Sequence, residues 1–504
     1  MSTDKYDLIV VGGGPTGASL ASFTAIAGHR VLLLERETFP RHQIGESLLP
    51  ATIHGICRML GVLDKVERRG FPRKNGGTFR WGKNPEPWTF RFSRQENDPY
   101  GYAYQVERSV FDEILLDRAR ELGVDVRERH DTLSAIVEDG RVAGVVYADG
   151  EGRQHEARAP FVVDASGNRS HLWQGVGERV YSEFFKNVAL YGYFEHGRRL
   201  PAPNQGNILS AAFSDGWFWY IPLSDTLTSV GAVVSQEAAN EIRDGEEKAL
   251  ERYIGRCGII ADYLSGARRV TDGPYGSLRI RKDYSYCMNR FSRPGMLLAG
   301  DAACFIDPVF SSGVHLGTYS ALLAARSIIT LLGGTSGLTE EECFTEYEDR
   351  YRREFGRFYQ FLLAFYDVHQ DEESYYWQAR KILNTEERGN ESFVRLVAGL
   401  SASDEPLFGG SQGFFDARQG FGSWFAQNVL PPEAGGAAAL PPPPPVPPAN
   451  GPETFDPAQF MLGFNKEIAS LQLLALRPGR RTSERPLRKG GLVPTADGLR
   501  WQAA

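Results

Sequence analysis

The stretch that most restricts how this chain can fold is its beginning. Tyr6 to Val11, YDLIVV, reads as a short buried strand. GGGPTGAS follows, then an alanine-rich helix to about Ala27, a stop at Gly28, and a second strand, RVLLLE, ending at Glu35. Gly12-x-Gly14-x-x-Gly17 therefore falls at the strand-to-helix turn of a βαβ unit. Gly12 permits the tight turn, Gly14 lets backbone approach a pyrophosphate, and Gly17 lets helix and strand pack closely. Pro15 sits near the helix start, where a missing N–H costs little. The free amides of the helix N-terminus suit phosphate, and Glu35 stands where a carboxylate accepts from ribose hydroxyls. The expectation is a bound dinucleotide.

The rest of the chain narrows the class. Its 504 residues exceed one simple core, and two or three sub-domains are expected. A net charge of −7 argues against general nucleic-acid binding. The N-terminus has no basic segment leading into a long apolar one, so no signal peptide is read, and no run of about 18 uncharged apolar residues offers a membrane span. The five cysteines (Cys57, Cys257, Cys287, Cys304, Cys343) are scattered and odd in number, which speaks against a disulfide framework or zinc site and for a reducing, cytoplasmic setting.

Two later stretches bear on which dinucleotide. MLLAGDAACFIDPVFSSGVHLG, 296–317, carries an apolar strand ending in Gly300-Asp301, with a helix beginning around Ser311-Ser312-Gly313; FVVDASGNRS, 161–170, sets Asp164 at the end of another strand. With YQVERSVFDEILLDRA, 104–119, these resemble the paired motifs of FAD proteins with the aromatic-hydroxylase fold. That resemblance implies FAD, with Asp301, Asp164, Gln105 and Arg108 near it. It also implies an α/β fold: a Rossmann-like βαβ unit, a substrate β-sheet and a C-terminal, mainly helical region. The expected divisions are 1–70 with 100–180 and 275–335 for FAD, 71–99 with 181–274 for the substrate-side sheet, and 336–430 for the helical region.

GWFWYIPL, 216–223, fits neither helical nor alternating-strand periodicity, since every position is large and apolar. Trp217, Trp219, Ile221 and Pro222 together form the WxWxIP pattern, and on these residues the chain resembles the flavin-dependent halogenases. RHQIGESLLPATIHG, 41–55, resembles the strap that lies over the flavin in that family, with Arg41 and Gly45-Glu46-Ser47, and Lys74 occupies the place of the family's lysine. The likeness spans about residues 5–400 and is strongest to the branch acting on phenols and pyrroles held on carrier proteins. It implies that FAD arrives reduced, as FADH2, from a separate flavin reductase, and that chloride is oxidised to hypochlorous acid. Trp217 and Trp219 then keep the organic substrate away from the flavin. On one strand they share a face, with Phe218 and Tyr220 on the other, and a plain core strand fits the same pattern.

Lys74 is expected beyond that wall. It either hydrogen-bonds hypochlorous acid as the cation or captures it as a chloramine from the amine, and the sequence leaves both open. Ser312 and Gly313, at a helix start, suit chloride. Phe310 stands where tryptophan halogenases carry a glutamate, which fits an electron-rich phenol needing no base, presented on an acyl or peptidyl carrier protein. The rival readings are an aromatic hydroxylase using NAD(P)H, a reductase of the geranylgeranyl-reductase type, and an inactive flavoprotein serving as a partner.

From about Leu338 a long helix carries Phe355, Phe358, Phe361, Phe365 and Tyr366 on a core-facing stripe, and Tyr375, Tyr376 and Trp377 are offered as substrate-lining. Residues 431–453 read as a polyproline linker. After it come an amphipathic helix and a tail in which residues 471–504 hold seven Lys/Arg against two acids. That tail is expected either to be solvated or to dock an acidic carrier protein.

Overall fold

The computed structural model describes residues 6–81, 86–93, 99–169, 171–367, 487–488 and 491–504. Tyr375, Tyr376, Trp377, the 431–453 linker and the helix expected after it lie outside these residues.

The first thirty-five residues fold as a βαβ unit: strand β1 (Leu8–Val11), helix α1 (Pro15–Ile26) and strand β2 (Val31–Glu35). They sit in a six-stranded sheet, in the order 292–293, 296–298, 161–164, β1, β2 and 125–128, parallel except at the 292–293 edge. Every residue of β1 and β2 is buried, which is why both read as continuous apolar runs rather than alternating ones. The glycine spacing is enforced sterically. Gly12 has φ +101° and a Cβ there would lie 2.7 Å from the Ala165 carbonyl oxygen; a Cβ at Gly17 would collide with the Gly12 carbonyl.

A second sheet, of nine strands, forms the other half. Its order is 304–305, 279–288, 179–195, 227–234, 216–222, 208–213, 76–80 and 88–91, with 268–269 pairing to the side. Strand Gly216–Pro222 lies well inside it, between 208–213 and 227–234. Trp217, Trp219 and Ile221 face the main core, while Phe218 and Tyr220 join a separate cluster with Leu190, Tyr253 and Ile260 on the opposite face. Both faces of this strand are therefore covered, so the wall and the core-strand readings describe the same element, and its sequence lacks alternation because neither face meets water.

Helix Gly313–Gly333 runs through the centre with seventeen of its residues buried. It is long and apolar enough to cross a membrane but is packed inside the fold. Helix Glu340–Asp367 follows, burying Phe355, Phe358 and Phe365. The last residues were expected as a solvated or docking tail. Their described part instead forms a two-stranded hairpin, 492–494 with 501–503, seated on those two helices. Trp501 is 1% exposed, donates from Nε1 to Ser327 Oγ at 2.9 Å, and lies under the Arg326 guanidinium at 4.5 Å. Arg488 pairs with Glu342. Two of the tail's cations are thus spent within the protein, Arg488 on Glu342 and Arg500 on Asp497.

Candidate active site

One large cavity, of about 740 Å³, lies between the two sheets. The glycine loop (Gly12, Gly14, Pro15), Glu35, Arg41, Gly45-Glu46-Ser47, Arg108, Asp301, Trp217, Trp219 and Gly313 all line it. Segments far apart in sequence meet there because β1, the 161–164 strand and the 296–298 strand are adjacent and parallel, so the loops after their C-terminal ends cluster.

The chain's polar groups fit a dinucleotide. A Cβ at Gly14 would come 3.2 Å from Arg41 Nη2, so the glycine leaves room beside a guanidinium where a phosphate would sit. Glu35 accepts from the Gly13 amide (2.6 Å) and the Glu37 amide (2.8 Å), which fixes its carboxylate at the end of β2. Asp301 lines the cavity, and burial raises its carboxyl to about 6 against the pull of Arg108, Arg281 and Arg179. Gly300 before it has φ +58°, and a Cβ there would lie 2.6 Å from Thr16 Oγ1. Asp164 is fully buried and accepts from the Ser166 amide and hydroxyl (3.1 and 2.6 Å), shaping the loop after its strand.

The strap is held by the 104–108 segment. Arg108 makes a two-pronged ion pair with Asp112 (2.7 and 3.0 Å) and donates to the carbonyls of Ile44 (2.6 Å) and Gly45 (3.2 Å). Ser47 pairs with Gln105 across an isolated bridge. Gln105 does not line the cavity: it is fully buried and donates from Nε2 to the Gly206 carbonyl at 3.1 Å.

Beyond Trp217 and Trp219, whose rings lie 6.2 Å apart, the packing becomes aromatic: Trp81, Phe79, Phe310 and Phe365. Lys74 is buried at 2% exposure on this side and does not line the cavity. Its Nζ donates to the Leu48 carbonyl (3.0 Å) and to Ser311 Oγ (3.4 Å), and lies 5.5 Å from the Phe92 ring centre. Burial brings this amine down to about 7. Ser311 does line the cavity and adopts a left-handed conformation, φ 60°. Asp307 fixes the turn, accepting from the Val309 amide (3.0 Å) and the Tyr366 hydroxyl (2.8 Å). Ser312 is buried with its hydroxyl unpartnered among the described residues, and Gly313 opens the central helix, whose first amides lack intrahelical acceptors. Phe310 packs against Phe365 with centroids 4.8 Å apart.

Comparison with known proteins decides the family. The tryptophan halogenase family model matches residues 7–101 and 91–441. The solved structure of the myxobacterial chondrochloren halogenase CndH is 58% identical and superposes with a TM-score of 0.75 over 99% of each chain. A tryptophan 2-halogenase of Chondromyces crocatus is 36% identical over 75% of this chain and 71% of its own. A 1H-pyrrole-2-carbonyl-[peptidyl-carrier protein] chlorinase of Pseudomonas fluorescens is 31% identical over 73% of this chain and 84% of its own.

The chain belongs to the tryptophan halogenase family.

As a flavin-dependent halogenase it is an FAD-dependent oxidoreductase with the aromatic-hydroxylase-type fold, and the hydroxylase reading is not favoured. The family takes FAD as FADH2, from a separate flavin reductase, and uses chloride. Three residues that pack around the cavity carry little signal in the sequence. Gly231 stands directly opposite Trp219, and a Cβ there would collide with the indole. An isolated glycine inside VGAVV was the available signal. Tyr193, whose hydroxyl donates to Glu46 Oε1 at 2.8 Å, has no local signal, and His42, whose Nε2 lies 2.7 Å from the same hydroxyl, is marked only by its place in the strap segment.

Proposed function

We propose that this halogenase is a chlorinase whose oxidant forms on the cavity side of the Trp217–Trp219 face and reaches an electron-rich phenolic ring through Lys74. The observation that carries this reading is the contact between buried Lys74 and Ser311. Ser311 borders the cavity and Lys74 does not, so the serine is a point of contact between the lysine and the cavity.

The residue roles follow from position and chemistry. Gly12, Gly14, Pro15 and Gly17, with Arg41, hold a pyrophosphate on the helix N-terminus, and Glu35 takes ribose hydroxyls. Arg108 and Gln105 keep Gly45-Glu46-Ser47 over the ring, and Asp164, Gly300 and Asp301 shape its far side. The amides of Ser312 and Gly313 hold chloride. When bound, reduced FAD with oxygen supplies the two-electron oxidant that turns chloride into hypochlorous acid. Trp217 and Trp219 exclude the organic ring from that side, because rigid indoles fill space with few rotatable bonds.

An amine titrating at about 7 offers Lys74 in both forms, cation for hydrogen bonding and free amine for a chloramine. Phe310 supplies no base, so the acceptor ring must be activated already, as a phenolate is. The carrier-bound pyrrole named for the Pseudomonas relative supports a thioester-tethered substrate here.

The test is mass spectrometry of phenols, free and carrier-bound, with enzyme, FAD, a reductase, NADH, oxygen and chloride. Lys74→Ala should remove chlorinated product while NADH-driven flavin reoxidation continues. Lys74→Arg keeps charge and donors but is a poor nucleophile; substantial activity in it selects the hydrogen-bonded oxidant over the chloramine. Wild-type chlorination by Lys74→Ala would end the reading.

A further inference from the structure

Glu46 has a task that cofactor binding does not explain. It is 2% exposed and lines the cavity; its Oε2 makes no hydrogen bond of full geometry among the described residues, although the Ser229 hydroxyl is close enough to favour the carboxylate. Its other oxygen accepts from Tyr193 Oη at 2.8 Å, and Tyr193 Oη in turn lies 2.7 Å from His42 Nε2. His42 is only half-buried and sits at the cavity lining, caged edge-on by Tyr193 and Tyr275 and stacked on Tyr191. The three groups form an unbroken line from a partly exposed imidazole to a buried carboxyl. The members come from two elements, the strap and the 179–195 strand, so the line exists only in the folded protein.

The chemistry on the flavin side needs such a line. Reduced FAD, oxygen, chloride and one proton give oxidised FAD, hypochlorous acid and one water: FADH2 + O2 + Cl⁻ + H⁺ → FAD + HOCl + H2O. The flavin loses two electrons and chloride loses two, and together these four reduce O2; one oxygen leaves as water and the other as hypochlorous acid. One proton per turnover must therefore enter a cavity walled by Trp217, Trp219 and Ile221. This use of the line rests on the proposed oxidation of chloride at the flavin.

We propose that Glu46 is the acid that delivers this proton, and that His42 refills it through Tyr193. The hydrogen bonds run in either of two directions. With Glu46 ionised, His42 Nε2–H donates to Tyr193 and Tyr193 donates to Glu46. With Glu46 protonated, the carboxyl donates to Tyr193, Tyr193 donates to His42 Nε2, and the imidazole proton sits on Nδ1. A proton arriving at Nδ1 thus appears at Glu46 as the two intervening O–H and N–H bonds break and re-form. No stored imidazolium is required.

The surroundings suit that exchange. Burial raises Glu46 to about 7, opposed by hydrogen bonding from the Ser229 hydroxyl on the neighbouring strand, then by the Tyr193 hydroxyl and Arg108, and reinforced by Glu107. Burial also lowers His42 to about 4, helped by Arg279, Arg281, Arg108 and Arg41, so the imidazole rests neutral and changes tautomer rather than charge. Tyr191 and Tyr275, the remaining titratable neighbours, are pushed upward and stay protonated.

The test reads the tautomer itself. In ¹⁵N-histidine NMR of the full chain carrying oxidised FAD, the His42 signal, assigned by its loss in His42→Gln, should exchange between the Nε2–H and Nδ1–H forms as pH crosses about 7. Glu46→Gln and Tyr193→Phe should each abolish that exchange in samples saturated with FAD, as read from flavin absorbance. A His42 tautomer that stays fixed between about pH 5 and about pH 9, or an exchange that survives in Tyr193→Phe, would overturn the relay. This arm uses neither halide nor product, so its failure leaves the proposed function standing. In turnover, Glu46→Gln should slow hypochlorous acid formation about 10²-fold, the contribution of a lost general acid. An unchanged rate there would also sink the proposal.

Discussion

At the scale of single residues, Lys74 is the least comfortable side chain in the protein: an amine in an aromatic pocket with one carbonyl and one hydroxyl for company. An ordinary lysine titrates near ~10.4, and this one near 7. Between those values the unfolded chain binds a proton that the folded one does not, so stability should rise with pH across that window and level off on both sides. Lys74→Met, similar in length and uncharged, should flatten this dependence and be more stable than wild type, most of all at and below pH 7. Urea midpoints at a series of pH values measure it, and parallel curves for the two proteins would show that Lys74 is solvated after all. A lysine buried at such a cost to stability fits the role proposed for Lys74.

At the scale of elements, the Gly216–Pro222 strand shows why a sequence can name a feature without giving its geometry. The WxWxIP residues were legible by resemblance and the βαβ unit by spacing, since both are local. The shared face of Trp217 and Trp219 followed from strand alternation alone. What hides from the sequence is whatever depends on register between strands. Gly231 matters because it pairs with Trp219 and not with a neighbour one step along. Tyr193 reaches Glu46 across 147 positions. Gln105 reads like a cofactor contact, yet its side chain is turned to the Gly206 carbonyl. Gly231→Ala is therefore informative: its methyl would force the Trp219 indole aside, costing about 1–3 kcal/mol by overpacking. Denaturant titration gives the cost, and halogenation should fall while FAD still co-elutes with the protein, since the glycine loop belongs to the other sheet. A variant as stable and active as wild type would mean that the wall yields freely.

At the scale of the molecule, two sheets and a central helix enclose one cavity, and the C-terminal hairpin closes the back of that helix. Trp501→Ala should destabilise the protein by about 3–5 kcal/mol, because it empties a filled site and uncovers Arg326. Calorimetry should show a lower Tm, while FAD binding at low temperature survives, because the hairpin region meets the central helix at Arg326, Ser327 and Thr330, and it is Gly313 and Val314 of that helix that line the cavity. An unchanged Tm would mean the hairpin is decoration. In the sequence its charges read as a tail that is either solvated or docked on a carrier protein; Trp501 and Leu492, both buried, are the better clue. The hairpin also ties the enzyme to the order in which a ribosome makes it. Ser327 and its tryptophan lie 174 positions apart, so during synthesis the helix is made long before Trp501 exists to pack on it. A chain cut short before residue 501 would lack the indole that covers Arg326 and the hydrogen bond to Ser327, so limited proteolysis should nick such a chain faster at this face than one that carries Trp501.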